Sequence, residues 1–141
     1  FELSGGQKRR VAIAGVLAMK PGTLVLDEPV AGLDPAGREE LLSLIQGIHA
    51  GGVTIVMVTH SMDDAARFCD RLIVLDHGRV AFDAPPGEVF RHEEELRAMG
   101  LDVPACVKLV KELKKRGMDL GEGLYRMSDV RAAIEREVGK C

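Results

Sequence analysis

The sequence has few cysteines, no long apolar run and no excess of positive charge, and each of these absences excludes a class of protein. Its cysteines, Cys69, Cys106 and Cys141, lie far apart and without C-x-x-C spacing, so neither a zinc site nor a disulfide framework is predicted. No apolar stretch approaches the roughly 18 residues that a transmembrane helix needs. A net charge of −3 gives no general attraction to nucleic acid. We expect reduced thiols, a cytosolic chain and no nucleic-acid partner.

The composition is otherwise that of an ordinary soluble globular protein. Hydrophobic residues make up 46% and charged residues 29% of the 141 residues. A chain of this size can bury roughly two thirds of the surface that it exposes when unfolded. The sequence is therefore long enough to form a hydrophobic core.

Hydrophobic periodicity predicts helices alternating with strands in the first part of the chain. Residues 7–20 predict a largely buried helix that ends at Pro21. The apolar runs 24–26 and 53–60 are typical of fully buried parallel strands. Between them, Asp34 is predicted to cap a helix that has Pro35 at its first position. This alternation indicates an α/β fold with a mostly parallel sheet flanked by helices.

The second part of the chain predicts shorter elements. Ser61 is expected to cap a helix, and residues 71–84 predict two antiparallel strands around an Asp-His-Gly turn. After the Pro-Pro-Gly segment 85–87, three short amphipathic helices are predicted, the last beginning at Ser128 or Asp129. The basic residues from Lys108 to Arg116 predict a solvated helix face, with partner docking as the alternative.

Polar side chains follow both parallel strands where each strand ends. Asp27 and Glu28 end the first strand and His60 follows the second, and ligands of open α/β sheets bind outside these carboxyl ends. An aspartate followed by a glutamate suits magnesium-assisted phosphoryl transfer, in which one carboxylate holds the hydrated metal and the next orients the attacking water. A histidine beside them can donate a hydrogen bond to a terminal phosphate.

A second anion-binding feature is the turn Ser4-Gly5-Gly6 before the first helix. This turn is expected to direct backbone N–H groups, a hydroxyl and the positive end of a helix dipole toward a bound anion. Each feature also has a plain structural reading, as an N-cap, a strand end or a structural histidine. The order and spacing of the features favour a nucleotide site.

Four short motifs, in order, resemble those of ATP-binding-cassette (ABC) ATPases. "LSGGQ" resembles the signature motif, "TLVLDEP" the Walker B strand, "AGLD" the D-loop and "VTH" the segment with the switch histidine. The longer stretches "DEPVAGLDPAGREELL" and "THSMDDAARFCDRLIVLDHGRV" are similar to the ATPase subunits of energy-coupling-factor importers, including the cobalt and nickel group. The resemblance is strong up to about residue 89 and weaker beyond it.

The resemblance implies a head-to-tail dimer with ATP at its interface. Ser4, Gly5, Gly6 and Gln7 would contact the γ-phosphate and ribose of an ATP held mainly by the opposite subunit, and Asp34 would cross the interface. The implied partners are a second ATPase subunit, identical or different, and the transmembrane subunits of a transporter. The implied location is the cytoplasmic face of the membrane.

The same resemblance assigns roles to the three residues at the strand ends. Asp27 would hold Mg²⁺ through water, Glu28 would be the catalytic base and His60 would contact the γ-phosphate. The implied fold is a partial P-loop NTPase fold. Residues 1–90 would be the carboxyl-terminal part of the nucleotide-binding domain, and residues 91–141 a helical extension.

The sequence departs from the family because it contains no G-x-x-x-x-G-K-[ST] phosphate loop. We therefore expect this polypeptide alone to lack nucleotide affinity, and its sheet to leave an apolar face or edge open. The interpretation is an amino-terminally truncated sequence, with a separately encoded half that pairs with another chain as the alternative.

Three functions remain open at this point. The first is an ATPase subunit that powers uptake of cobalt, nickel or a vitamin, and the second is a non-catalytic module that presents its signature turn and helical tail to another ATPase. The third, a chromosome-maintenance ATPase, is disfavoured because no sustained heptads occur. The apolar residues Val107, Leu109, Val110 and Leu113 fit either contact between two ATPase subunits or packing onto their own domain.

Overall fold

A computed structural model describes residues 3–139 of the chain, which divides into two compact units, Phe1–His60 and Ser61–Cys141. The described helices are α1 Gly5–Leu17, α2 Pro35–Ala50, α3 Met62–Phe68, α4 Pro86–Val89, α5 Glu93–Ala98, α6 Ala105–Lys115 and α7 Met127–Val138. The strands are β1 Thr23–Asp27, β2 Thr54–Val58, β3 Leu72–Asp76 and β4 Arg79–Ala84. The functional division predicted after residue 90 stays a prediction, because compactness alone does not define a functional domain.

The first unit is built around a parallel pair of strands. Strand β1 pairs with β2 in a register that sets Thr23 opposite Thr54 and Asp27 opposite Val58. Parallel neighbours need a long crossover connection, and α2 supplies it. The predicted strand, helix, strand order is confirmed.

The core of this unit lies on one face of the strand pair. Leu24 and Leu26 of β1 are buried, as are Leu41, Leu42 and Ile45 of α2. Helix α2 packs against both α1 and β2. The spacing of the α2 leucines places them on one helix face, which explains why this helix covers the strands.

The prediction that both strands are fully buried is wrong. Val25 is 66% exposed, and Val56 and Val58 are 47% and 53% exposed. Successive side chains of a strand point to opposite faces, so a helix that packs on one face leaves the other open. The open apolar face predicted for the sheet is therefore present.

Helix α1 also differs from its prediction. Within the described residues of this helix only Ile13 is buried, while Val11 is 59% exposed. The helix rests on α2 by one narrow stripe, and an ion pair between Arg10 and Glu40, 2.7 Å long, links the two helices. The prediction of a largely buried helix is wrong because its apolar residues are spread around the helix rather than gathered on one face.

The second unit contains an antiparallel hairpin of β3 and β4. The connecting residues His77 and Gly78 have φ values of +45° and +75°, the left-handed pair that a tight hairpin turn of type I′ requires. Beyond the other end of the hairpin, Arg71 donates two hydrogen bonds to Asp83, at 2.6 and 2.7 Å. These bonds hold the pKa of Asp83 below its usual range. The antiparallel pair is confirmed.

The core of the second unit draws one or two residues from each of several short elements. Its buried members are Ala65, Ala66, Val89, Phe90, Leu96 and Val103. The predicted cap of α3 is confirmed, since the Ser61 hydroxyl accepts a hydrogen bond from the N–H of Asp64 at 3.3 Å. Short helices of this kind depend on tertiary packing, because they are too short to be stable alone.

Helix α7 begins earlier than predicted. Its N-cap is Arg126, so the prediction of Ser128 or Asp129 is wrong. The Nε of Arg126 donates to the carbonyl of Ala66 at 3.1 Å. This bond joins the start of the helix to a segment 60 positions away, so no local sequence pattern predicts it.

Helix α6 contacts its own unit through part of its apolar face. Val107 packs against the core, whereas Leu109 is 39% exposed. The lysines of the predicted solvated face form ion pairs within the unit: Lys108 with Asp102, Lys111 with Glu93, Lys114 with Asp119 and Lys115 with Glu112. The charges of this helix are thus largely compensated.

Cys69 and Cys106 are free thiols, and burial raises the pKa of both. Cys141 lies outside the described residues. Across residues 3–139 no helix has the length and apolar character that crossing a membrane takes.

Replacing a core leucine of the second unit tests its packing. Leu96 is fully buried, so Leu96→Ala is expected to lower the free energy of unfolding by about 2–5 kcal/mol. Leu109→Ala removes the same atoms from an exposed site and should cost far less. Urea unfolding followed by circular dichroism measures both free energies of unfolding. Equal losses in the two variants would contradict the burial of Leu96 in the core.

Candidate functional site

The parallel pairing of β1 and β2 brings the predicted strand-end residues together. Asp27 is the last residue of β1 and lies opposite Val58, the last residue of β2. The N–H of Glu28 donates to the carbonyl of Val58 at 3.0 Å, which continues the ladder by one bond. Because His60 follows two residues after Val58, it reaches the same edge as both carboxylates.

Glu28 and His60 form a direct hydrogen-bonded pair. The Oε1 of Glu28 accepts from the backbone N–H of His60 at 3.0 Å and lies 2.6 Å from Nδ1 of its ring. An ionised carboxylate can only accept, so this contact puts the ring proton on Nδ1. The ring is 83% exposed, which leaves Nε2 accessible at the edge of the sheet.

The backbone of Glu28 is strained. Its φ of +43° lies in the left-handed region, which costs a non-glycine residue about 1–3 kcal/mol. Two bonds hold it there, its own N–H to Val58 and the N–H of Ala31 to its carbonyl at 3.2 Å. Strain of this kind is concentrated at functional sites, where it directs a side chain.

The signature turn is organised by hydrogen bonds between its own residues. Ser4 is the N-cap of α1, and its hydroxyl accepts from the N–H of Gln7 at 3.3 Å. The Oε1 of Gln7 accepts from the N–H of Ser4 at 2.8 Å. This capping box fixes the direction in which the helix starts. Contact of Gln7 with a ribose stays a prediction.

The two glycines of the turn have few neighbours in the part of the chain that the structure describes. Among residues 3–139, a Cβ added to Gly5 would have nothing within 4 Å, and one added to Gly6 would lie 3.6 Å from Cδ2 of Leu33, an ordinary contact. Neither glycine has a positive φ. Packing among the described residues therefore does not require glycine here, and the absence of side chains leaves the backbone open to close approach.

Asp34 occupies the predicted N-cap position of α2, with Pro35 at the first helical position. Its carboxylate makes no capping hydrogen bond. Instead, the carboxylate lies close to the backbone of Gly37, since a Cβ added to that glycine would be 2.8 Å from Oδ1 of Asp34. Sequence reasoning missed Gly37, although a glycine in the first turn of a helix is an unusual choice that signals a close neighbour.

The carboxylates at the sheet edge fit a Mg²⁺ ion that takes most of its ligands from water and substrate. Among the described residues no group of three or more histidine, cysteine, aspartate or glutamate side chains could hold a metal ion. Mg²⁺ is commonly bound by only one or two carboxylates together with water and substrate phosphates. Asp27 is exposed at the strand end and fits that mode.

Comparison with known proteins identifies several relatives. A family model described as "AAA domain, putative AbiEii toxin, Type IV TA system" matches residues 1–63, which include every predicted site residue. The energy-coupling factor transporter ATP-binding protein EcfA2 of Clostridium perfringens is 49% identical over 135 residues, covering 95% of this chain and 47% of the relative. EcfA2 of Symbiobacterium thermophilum is 52% identical over 134 residues, covering 95% and 46%. The chain thus spans about half the length of these relatives.

Two solved structures share the fold. One is cbiO1 from Clostridium perfringens, described as part of the ABC transporter complex cbiONQ, with a TM-score of 0.58 at 47% identity over 68% of this chain and 39% of that chain. The other is MJ1267, described as an ATP-binding cassette of an ABC transporter, with a TM-score of 0.60 at 28% identity over 68% and 38%. The partial P-loop NTPase fold is confirmed.

Two glycine substitutions in α2 test the contact of Asp34. A Cβ at Gly37 would meet the Asp34 carboxylate, whereas one at Gly47 would meet no atom of the described residues within 4 Å. Gly47→Ala is expected to stabilise the chain by about 1 kcal/mol through helix propensity. Gly37→Ala should gain less or lose stability, and it should displace the Asp34 carboxyl signal in NMR spectra. An unmoved signal would contradict the contact.

Proposed function

The chain belongs to the family of ABC transporter ATP-binding proteins, and on this premise we propose that it forms part of an ATP hydrolysis site. The observation that carries the proposal is the Glu28–His60 pair at the carboxyl edge of two parallel strands, 2.6 Å apart. Asp27 stands beside this pair at the end of β1. Two carboxylates and a histidine at this edge can hold a metal ion, orient water and contact a phosphate, which are the roles that phosphoryl transfer uses.

Glu28 would orient the attacking water. Within residues 3–139, the hydrogen bonds to its carboxylate both use Oε1. Oε2 therefore remains to accept a hydrogen bond from water, while His60 holds the carboxylate in a fixed position. A fixed general base contributes typically 10²–10⁴-fold to the rate of a reaction.

His60 and Asp27 would act on the phosphates. With the Nδ1 proton directed at Glu28, donation from Nε2 to a γ-phosphate requires the protonated imidazolium form of His60. Asp27 would hold Mg²⁺ through water. The metal, when bound, neutralises negative charge on the phosphates.

The signature turn and Asp34 would serve a nucleotide held by another subunit. Ser4 caps a helix of 13 residues that begins with Gly5 and Gly6, and the amino end of a helix favours an anion. A phosphate loop of the G-x-x-x-x-G-K-[ST] type is not in these 141 residues, so we propose that a segment outside them supplies it. The site would then be shared between polypeptide segments.

The transport role rests on the relatives. Two are named as energy-coupling factor transporter ATP-binding proteins and one as part of an ABC transporter complex. We propose that this chain serves an importer in the same way, with transmembrane subunits as partners at the cytoplasmic face of the membrane. Cobalt, nickel and vitamins are the proposed cargoes. A non-catalytic module is the alternative, favoured by the absence of the phosphate loop from the sequence.

The shared site predicts that the 141-residue chain alone does not bind nucleotide. Titration with a fluorescent ATP analogue and Mg²⁺ is expected to show no saturable binding, because the loop that holds the β- and γ-phosphates is not in the sequence. The complete Clostridium perfringens relative is the positive control. Saturable binding by the chain would overturn the proposal of an external loop.

A chimaera tests the role of Glu28. This chain replaces the matching segment of the Clostridium perfringens relative, and ATP turnover and ATP binding are measured separately. Glu28→Gln keeps the shape of the side chain but removes the base, so turnover should fall by about 10²–10⁴-fold while binding persists.

Glu94→Gln provides the matched control, since it makes the same chemical change at an exposed position of α5. It should turn over ATP at the unmodified rate. Turnover by the Glu28→Gln chimaera close to that of the unmodified chimaera would exclude Glu28 as the base. A chimaera that binds ATP but never hydrolyses it, even unmodified, would favour the non-catalytic module.

A further inference from the structure

A cavity of about 350 Å³ lies in the second unit, lined by α4, α6 and the segment 121–125. This volume falls within the roughly 300–1,000 Å³ of typical small-molecule sites. None of the lining residues belongs to the signature, Walker B, D-loop or switch-histidine motifs. We propose that this cavity binds a small organic anion, a monocarboxylate with an aromatic or other apolar body.

The body of the ligand would lie against an apolar, aromatic wall. Phe90 and Tyr125 line the cavity with their ring centroids 6.1 Å apart and their planes tilted by 48°. Val107 and Val110 of α6 complete this side. Aromatic walls with a few polar groups are the usual composition of small-molecule pockets.

The aromatic wall is held in place from two directions. A Cβ on Gly87 would lie 2.9 Å from Cε1 of Tyr125, so the ring lies against the backbone of α4 only because residue 87 is glycine. The thiol of Cys106 in α6 donates to the carbonyl of Tyr125 at 2.8 Å. The pocket is thus formed before any ligand arrives, which reduces the entropic cost of binding.

Four charged side chains line the cavity. It contains Arg91, Lys111 and Lys114 against one carboxylate, Glu122. The two lysines already have partners outside the lining, as Lys111 pairs with Glu93, and Lys114 pairs with Asp119 at 3.2 Å. Their charges are compensated, and Glu122 opposes a ligand with two negative charges. A single negative charge therefore suits the cavity best.

Arg91 is the residue that would bind the anion. Its backbone N–H donates to the carbonyl of Glu88 at 3.1 Å, but within residues 3–139 its guanidinium makes no hydrogen bond or ion pair. Its Nη2 would lie 3.7 Å from a Cβ on Gly123. The guanidinium thus lies beside the glycine segment 121–123. A guanidinium binds a carboxylate through two parallel hydrogen bonds, which a lysine cannot reproduce.

The test compares 2-naphthoate with its neutral analogue 2-naphthamide, titrated into the 141-residue chain and followed by ¹H–¹⁵N NMR. The naphthoate is expected to bind at least tenfold more tightly, with shifts at the amides of Gly121 and Gly123. Arg91→Gln should abolish the difference between the two ligands. Arg131→Gln, an exposed arginine on α7, should preserve it.

A second pair of variants checks the location without using Arg91. Val110→Glu places a negative charge in the lining and should weaken naphthoate binding at least tenfold, whereas Leu109→Glu, beside it in α6 but outside the lining, should not. Equal affinity for the two ligands, an unchanged difference in Arg91→Gln, or no binding of naphthoate up to its solubility limit would each overturn the proposal.

Discussion

The parallel pairing of β1 with β2 is the constraint on which the candidate site depends. Because Asp27 lies opposite Val58, the carboxylate of Glu28 and the ring of His60 arrive at one edge although 32 positions separate them in the chain. An antiparallel pairing would have placed them at opposite ends of the strands. The crossover helix α2 makes the parallel pairing possible, and its buried leucines hold it against the strands.

Local hydrogen bonds position both the carboxylate of Glu28 and the signature turn. Glu28 keeps a left-handed backbone because two main-chain bonds hold it, and its carboxylate then accepts two bonds from His60. The signature turn uses a different device, a capping box that satisfies helix-end donors while leaving its glycines uncovered. In both places the local structure leaves accessible the groups for which nucleotide contact is proposed.

The second unit is organised differently, by many small contributions rather than by one sheet. Short helices contribute one or two buried residues each, and bonds between distant segments, such as Arg126 to Ala66, fix their ends. Ion pairs compensate the lysines of α6, with Arg91 outside that network. The guanidinium of Arg91, which follows α4, thus lies beside the cavity without an ion-pair partner among the described residues.

The sequence by itself determined the α/β class, the order of strands and helices up to the hairpin, the N-cap positions of Asp34 and Ser61, and the strand-end positions of Asp27, Glu28 and His60. These features depend on local patterns: apolar runs, N-cap residues and turn glycines. The tertiary structure alone decided which strand faces are buried, where α7 begins, that Glu28 and His60 bond directly, and that Gly37 accommodates Asp34. Each of these depends on what lies opposite a residue in space, and periodicity along the chain carries no information about that.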